Sequence, residues 1–457
     1  MVALEIGIIA DDLSGGAECA VRALLRVSRS TILLGLAPEG GTRDADCATR
    51  VLTVDTHSRG LEAAAAATRA AAAAAAVSAA PVVVKKIDSL LRGNVAAEIA
   101  AVAQQLGRTA VVAVSNPALG RVVRDGVLHV EGTPLHETDL WQVETSPAPT
   151  SVQQALRPLR TVLISQHTVD AGTDAVAQAV HDIAASGAVA VCDAATEADL
   201  ETIHAAAIAT SSRALLVGSG AMSDTAVRAL TPEHDAAPAG LPRLSSLLMV
   251  LGTRASAVAA QLAQLAGKAA HIELIDPARL LADPRALQAR LEEVTAHGLV
   301  VVALDPAAAV ESGDASRLVA ALADALAPHV TCYEGVFLTG GETARAALDR
   351  LGVTSLSVLA ELERGTVVSQ TQAGHVVVTR PGSFGAADSL VRTARRLLGT
   401  DLAADGTSQT TTRAAANATA TAATAASQLA APATAGTQST QRKPAQSRLV
   451  APTKENP

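Results

Sequence analysis

Aromatic side chains are nearly missing from this chain: one Trp, one Tyr and two Phe stand among 457 residues. With only Trp141 and Tyr333 beside two phenylalanines, no row of stacking platforms exists on which single-stranded nucleic acid could lie. An excess of positive charge is missing too. The 36 Lys and Arg are outnumbered by 44 Asp and Glu, a net charge of −8, so no strong field draws a polyanion and a small molecule is the better default ligand. Cysteine is sparse: Cys19, Cys47, Cys192 and Cys332 are widely spaced, with no C-x-x-C pair. This argues against a disulfide framework and a thiolate zinc site, and fits a reducing cytoplasm. The 11 histidines show no metal-ligand spacing; His57 lies in a candidate site loop, where ordinary hydrogen bonding is its commoner use. Long apolar runs are also lacking. The Ala-rich stretch from Ala63 to Ala80 is broken by Thr68, Arg69 and Ser78, and Ala is too weakly apolar to make it a membrane span. It reads as a surface-to-core helix of high propensity. The early Glu5 and the absence of a basic leading run give no sign of a secretory signal.

What is present is a rhythm. Short apolar runs, "EIGIIA", "STILLG", "RVLTVDT", "PVVVKKID", "TAVVAV", "TVLIS", "VAVCDA" and "ALLVGS", alternate with helical patterns. Such runs read as strands of a mostly parallel sheet covered on both faces, an α/β chain. In "NVAAEIAAVAQQLG" Val95, Ile99, Val102 and Leu106 make one apolar stripe, with Asn94 placed to cap the helix. A length of 457 residues predicts two domains. The proline-rich segment "TPEHDAAPAGLPRL" breaks the rhythm, and a second βα series follows: "SLLMVLGT", "HIELID", "GLVVVALD", "GVFLTGG" and "HVVVTR". The expected layout is a first domain over 1–232, a linker over 233–244 and a second domain over 245–400. Residues 401–457, rich in Ala, Thr, Ser and Gln, have too little apolar content to offset ordering entropy and are expected to be disordered.

The polar residues gather at predicted strand ends. "EIGIIADDLSGGAECA" has the strand, Gly turn and helix start that commonly hold phosphate, yet Asp11 and Asp12 stand where the phosphate would lie. "VVVKKIDSLLRGN" supplies Lys85, Lys86, Asp88, Ser89, Arg92 and Asn94, and "LTVDTHSRG" supplies Asp55, Thr56, Ser58 and Arg59, sets suited to a small polar anion. In the second half three strand-to-helix turns are small and phosphate-compatible. They are Gly252-Thr253-Arg254, Gly340-Gly341-Glu342-Thr343, and Gly382 with Gly385 next to Arg380. On one carboxyl edge of a parallel sheet they suggest a nucleotide.

"ADDLSGGAE", "VDTHSR", "KKIDSLLRGN", "GRVVRDGVLHVEGTPL", "GSGA", "LGTRAS", "FLTGGETARAALDRLGV" and "GSFG" occur in one order over residues 5 to about 398. In this the chain resembles the four-carbon acid sugar kinase family. The resemblance implies a sugar-acid-binding N-terminal domain and a nucleotide-binding C-terminal domain. It also implies an active site in the cleft between them and ATP-dependent phosphorylation of a tetronate or 3-oxo-tetronate at its terminal hydroxyl. It assigns Asp12 as the hydroxyl's partner or general base, with Asp11 orienting it or helping to hold Mg2+, the usual companion of ATP. Arg59, Lys86 and Arg92 would hold the sugar-acid carboxylate, and Asp88 and Asn94 would take hydroxyls or order the loop. Thr253, Gly340, Gly341, Glu342, Thr343, Gly382 and Gly385 match the nucleotide-contacting turns. The expected partners are the sugar acid and ATP, without nucleic acid or membrane; assembly into a homo-oligomer is compatible with the sequence. The chain departs from the family pattern at Leu90, usually Thr, at Glu18, commonly Asp, and in Arg380-Pro381-Gly382-Ser383-Phe384-Gly385, usually Lys-x-Gly-Gly-Phe-Gly. There Ser383 is expected to resist a glycine-like backbone. The alternatives are a kinase of a different acid sugar and a nucleotide or sugar-acid sensor without transfer.

Overall fold

Every apolar run named above becomes a strand, and the strands order themselves so that the polar loops share one edge. The computed structural model describes residues 3–35, 49–141, 144, 146–210, 214–233, 240–253, 255, 257–266, 268, 270–294, 298–308 and 313–399. The expected tail over 401–457, linker residues 234–239, Cys47 and Arg254 lie outside the described residues. Cys19, Cys192 and Cys332 are free thiols.

The first half contains β1 (Ile6–Ala10), β2 (Ser30–Leu34), β3 (Val51–Asp55), β4 (Val82–Lys86), β5 (Ala110–Ala113), β6 (Arg121–Arg124), β7 (Val127–Val130), β8 (Thr133–Pro134), β9 (Thr161–Ile164), β10 (Val189–Cys192) and β11 (Leu215–Gly218). The second contains β12 (Leu247–Leu251), β13 (His271–Ile275), β14 (Leu299–Leu304), β15 (Gly335–Thr339), β16 (Ser355–Glu363), β17 (Thr366–Thr371) and β18 (Val376–Arg380). Strands β6, β7 and β8 form a separate antiparallel sheet that the apolar-run criterion overlooks. Its signal was local: Asp125 and Gly126 both take positive φ, the geometry of a tight hairpin turn between β-branched runs.

The remaining strands make one sheet of order β13-β14-β12-β15-β18-β17-β16-β2-β3-β1-β4-β11-β5-β10-β9. One sheet per domain was expected. Instead β16 pairs antiparallel with β2, Leu356 opposite Ile32, and joins the two series edge to edge. Apart from β16 and β17 the neighbours in this sheet run parallel. Helices cover both faces. Helix α1 (Leu13–Ala23) follows β1, the alanine helix α2 (Ala63–Ala76) buries Ala66, Ala70, Ala73 and Ala74, and α3 (Val95–Leu106) buries Val95, Ile99 and Val102 as the stripe predicted.

The order places two switch points. From β1 the chain leaves to β2 and β3 on one side and returns to β4 on the other, so the ends of β1, β3 and β4 open into a crevice. The second series repeats the device with β14 and β15 flanking β12. The loops after these strands carry the residues singled out in the sequence.

Candidate active site

Asp12 is fixed first by its own helix. It takes extended backbone angles at the N-cap of α1, and its Oδ1 accepts a hydrogen bond from Gly15 N at 3.2 Å. The Arg59 guanidinium, arriving from the end of β3, then spans the acidic pair. Its Nε donates to Asp11 Oδ2 at 2.8 Å, and its Nη2 donates to Asp11 Oδ1 at 2.9 Å and Asp12 Oδ1 at 2.8 Å. Asp88 Oδ1 lies 3.9 Å from the same Nη2. Arg92 closes a fork on Asp88, with 2.8 Å and 2.9 Å bonds, and Leu90 N adds a third at 3.0 Å. Arg59 and Arg92, read in the sequence as anion grips, therefore already hold this chain's own carboxylates.

These pairings set the charges. Burial pushes Asp11 up, but Arg59, Lys85 and Lys86 outweigh it and hold the carboxyl below its usual range. Asp88 is likewise held low against its burial, chiefly by the Arg92 hydrogen bonds and by Arg59. Lys86 Nζ lies against Gly15: a Cβ there would stand 2.5 Å from it and 2.7 Å from Asp12 Oδ1. Burial lowers this ammonium's affinity for its proton, and Asp12 and Asp11 more than restore it. Four expected sugar-site residues, Arg59, Lys86, Asp88 and Arg92, thus share one network with Asp11 and Asp12.

Asn94 departs from the expected capping role and fits the loop-ordering one. It occupies the N-cap position of α3 without a capping bond, and instead its Nδ2 donates to Ser58 O at 3.2 Å and Leu61 O at 2.7 Å. Its work is to staple the loop that carries Arg59.

On the other side of the cleft, Thr253, Gly340, Gly341, Thr343 and Gly382 come together. A Cβ on Gly252 would collide with the Thr343 hydroxyl, and one on Gly382 would stand 2.9 Å from Thr253 Oγ1. Gly340 caps the helix Gly341–Arg350 with φ 85°, a conformation that favours glycine. That helix start faces the sugar half directly: a Cβ on Gly341 would lie 3.0 Å from Asp12 Oδ2 and 3.1 Å from Ser14 Oγ. Glu342 turns toward the first half as well, with Oε2 2.8 Å from His57 Nε2.

The Arg380 turn requires one correction. Arg380 is 1% exposed: it lies over the Phe337 ring and donates to Ser389 Oγ at 2.8 Å and Gln261 Oε1 at 2.9 Å. Burial pushes its guanidinium down to about 10. Ser383 has ordinary negative φ, and the strained position is Gly385 at φ 100°, so the expected resistance to Ser383 does not arise. Gln261 Nε2 anchors that loop through Gly385 O at 2.8 Å.

Several contacts escaped the sequence reading. Lys85 and Glu98 form a wholly buried pair at 2.7 Å, extended by Ser58 Oγ donating to Glu98 Oε1 at 2.8 Å. Its signal was a charge beside Ile99 on the apolar face of α3. Asp55 and Arg345 join the halves, and Arg345 also pairs with Asp349 four residues on in its own helix. Arg121, at the start of β6, donates from Nη1 to Ser89 Oγ. Leu90 is buried in the apolar cluster beside α3. Among the described residues no cluster of three or more His, Cys, Asp or Glu is arranged to hold a metal by itself, and no helix is long and apolar enough to cross a membrane.

Known proteins are similar to this chain over most of its length. A family model described as a sugar-binding N-terminal domain matches residues 6–226, and one described as a nucleotide-binding C-terminal domain matches 248–390. A D-threonate kinase of Cupriavidus necator is 35% identical over 403 residues, covering 84% of this chain and 95% of the relative. A 3-oxo-tetronate kinase of Methylobacterium radiotolerans is 30% identical, covering 85% and 98% respectively. A crystal structure of a Salmonella typhimurium protein shares the fold at a TM-score of 0.70 and 20% identity, covering 86% of this chain and 99% of that one.

Proposed function

Because the chain belongs to the four-carbon acid sugar kinase family, we propose that it transfers the γ-phosphoryl group of ATP to the terminal hydroxyl of a tetronate or 3-oxo-tetronate. The observation that carries this reading is the approach of Asp12 Oδ2 to Gly341, which sets a carboxylate of the sugar half at the helix start of the nucleotide half. Phosphoryl transfer asks mainly for in-line positioning and neutralised charge. Both are available where these two residues meet.

In this reading Asp12 accepts the proton of the attacking hydroxyl. Arg59 and Gly15 N hold only its Oδ1, and Oδ2 takes no hydrogen bond from the described residues. Asp11 orients Arg59, and through it Asp12. Lys86, beside Asp12, offsets negative charge as the phosphoryl group arrives. The phosphates lie over the Gly340-Gly341 turn, where the first N–H groups of the helix point outward, with Thr253, Thr343 and Gly382 shaping the floor. Mg2+ would be held chiefly by the nucleotide's phosphate oxygens and waters, since both Asp11 oxygens accept from Arg59 and Asp12 Oδ2 serves the hydroxyl. It would neutralise charge on the nucleotide.

Of the changes in the Arg380–Gly385 turn that motivate the sensor alternative, Ser383 brings no backbone strain. The deciding experiment is ADP release by the purified chain with ATP, Mg2+ and a panel of four-carbon acids and their 3-oxo forms. Turnover with at least one acid is expected. ATP binding without turnover on any of them would overturn the proposal.

A further inference from the structure

We propose that Arg121 receives the substrate's carboxylate, a role that the family resemblance implies for Arg59, Lys86 and Arg92. The inference rests on the kinase reading above and names the anion contact within it. A guanidinium grips a carboxylate by aligning two N–H groups with two oxygens, so one whose fork already closes on an internal carboxylate has little left to offer. Arg59 spends its fork on Asp11 and Asp12, and Arg92 spends its fork on Asp88. Lys85 is paired with Glu98.

Two cations of the site have no carboxylate within ion-pair distance among the described residues, Lys86 and Arg121. Lys86 stands beside Asp12, at the end where the hydroxyl reacts. Arg121 stands by Ser89, the residue after Asp88, its side chain held only by the Ser89 hydroxyl through Nη1, while its Nε is buried without a partner. Such a buried donor costs free energy until something accepts from it. The charges it feels are the carboxylates of Asp88 and Glu18 and the guanidinium groups of Arg92 and Arg364. Asp88 is occupied by Arg92, and the Glu18 carboxylate faces Gly220 at the start of the helix Gly220–Arg228. A small acid with its terminal hydroxyl at Asp12 would cross Arg59 and Asp88, which lie 3.9 Å apart, and reach Arg121 with its carboxylate.

The test uses the full chain with D-threonate, and with threitol, which has the same carbon skeleton and a primary alcohol in place of the carboxylate. In calorimetry, Arg121→Gln should weaken D-threonate binding about 10- to 150-fold, the loss expected for one charged hydrogen-bonding group. KM for the acid should rise in step, while kcat and ATP affinity stay near wild type, and the preference for D-threonate over threitol should collapse. Arg121→Lys, which keeps the charge and loses the fork, should fall between the two and serves if the Gln variant fails to fold. Arg121 variants that bind D-threonate within about twofold of wild type, or that lose threitol equally, would overturn the assignment. Wild-type protein that binds ATP but no four-carbon acid would overturn the kinase reading and this inference with it.

Discussion

Asp55 and Arg345 form a buried ion pair between the two halves, with Arg345 Nη1 2.7 Å from Asp55 Oδ2 and neither side chain more than 8% exposed. The same nitrogen reaches Asp55 O at 3.3 Å, and Asp55 Oδ1 accepts from His57 N at 3.1 Å. The pair therefore ties the end of β3, with its substrate loop, to the helix that begins at Gly341. Arg345→Met should cost about 3–5 kcal/mol, because it leaves a buried carboxylate without its cation. Adding Asp55→Asn should recover part of that loss, and urea denaturation of both variants measures it. Equal stability of wild type and Arg345→Met would mean that the pair does not hold the halves.

Asp12→Asn tests the base. Asn is as good an N-cap as Asp, so the bond from Gly15 N and the start of α1 should survive. Turnover should fall about 10²–10⁴-fold with ATP affinity nearly unchanged. Normal turnover would remove Asp12 from the chemistry.

Gly341→Ala tests the closeness of the halves. The new Cβ would stand 3.0 Å from Asp12 Oδ2, tighter than ordinary contact, so the helix start and the carboxylate must separate slightly. Since a misplacement of about 1 Å can cost about 10²-fold in rate, a drop of about tenfold is expected. The fold should be spared, because Ala suits a helix better than Gly. Single-turnover kinetics beside thermal denaturation separates the two effects, and an unchanged rate would place the reacting groups elsewhere.

The His57 and Glu342 contact predicts a pH dependence. The Glu342 hydrogen bond raises His57 above its ordinary value despite partial burial, and the same bond lowers Glu342. His57 therefore contributes stability that is complete below its unfolded value, about 6.5, and is lost as pH rises through its higher folded value. Glu342 contributes above its own unfolded value and loses this as pH falls through its lowered folded value. Glu342 is 57% exposed, so solvent screening limits the whole effect to about 0.5 kcal/mol or less. Denaturation midpoints across pH 6 to 9 should decline slightly more for wild type than for His57→Gln, and superimposable profiles would show that the contact carries no stability.

The sequence alone determined the class and most of the strands of the large sheet. Continuous apolar runs such as Leu299–Leu304 are readable because a strand buried on both faces must be apolar throughout, and the stripe of α3 because one helical face must be. It also placed Asp11, Asp12, Arg59 and the glycine turns at strand ends, where backbone geometry restricts residue choice. What only the tertiary structure decided is which charges meet. Arg59 and Arg92 read as free cations in the chain and are occupied in the fold, while Arg121, from a hairpin with no apolar run to announce it, stands without a carboxylate. The joining of both series through β2 and β16 was equally hidden, since edge pairing depends on backbone groups that every residue shares. Local preference reads from neighbours in sequence; pairing of charges and of strand edges depends on separations that strand order alone sets.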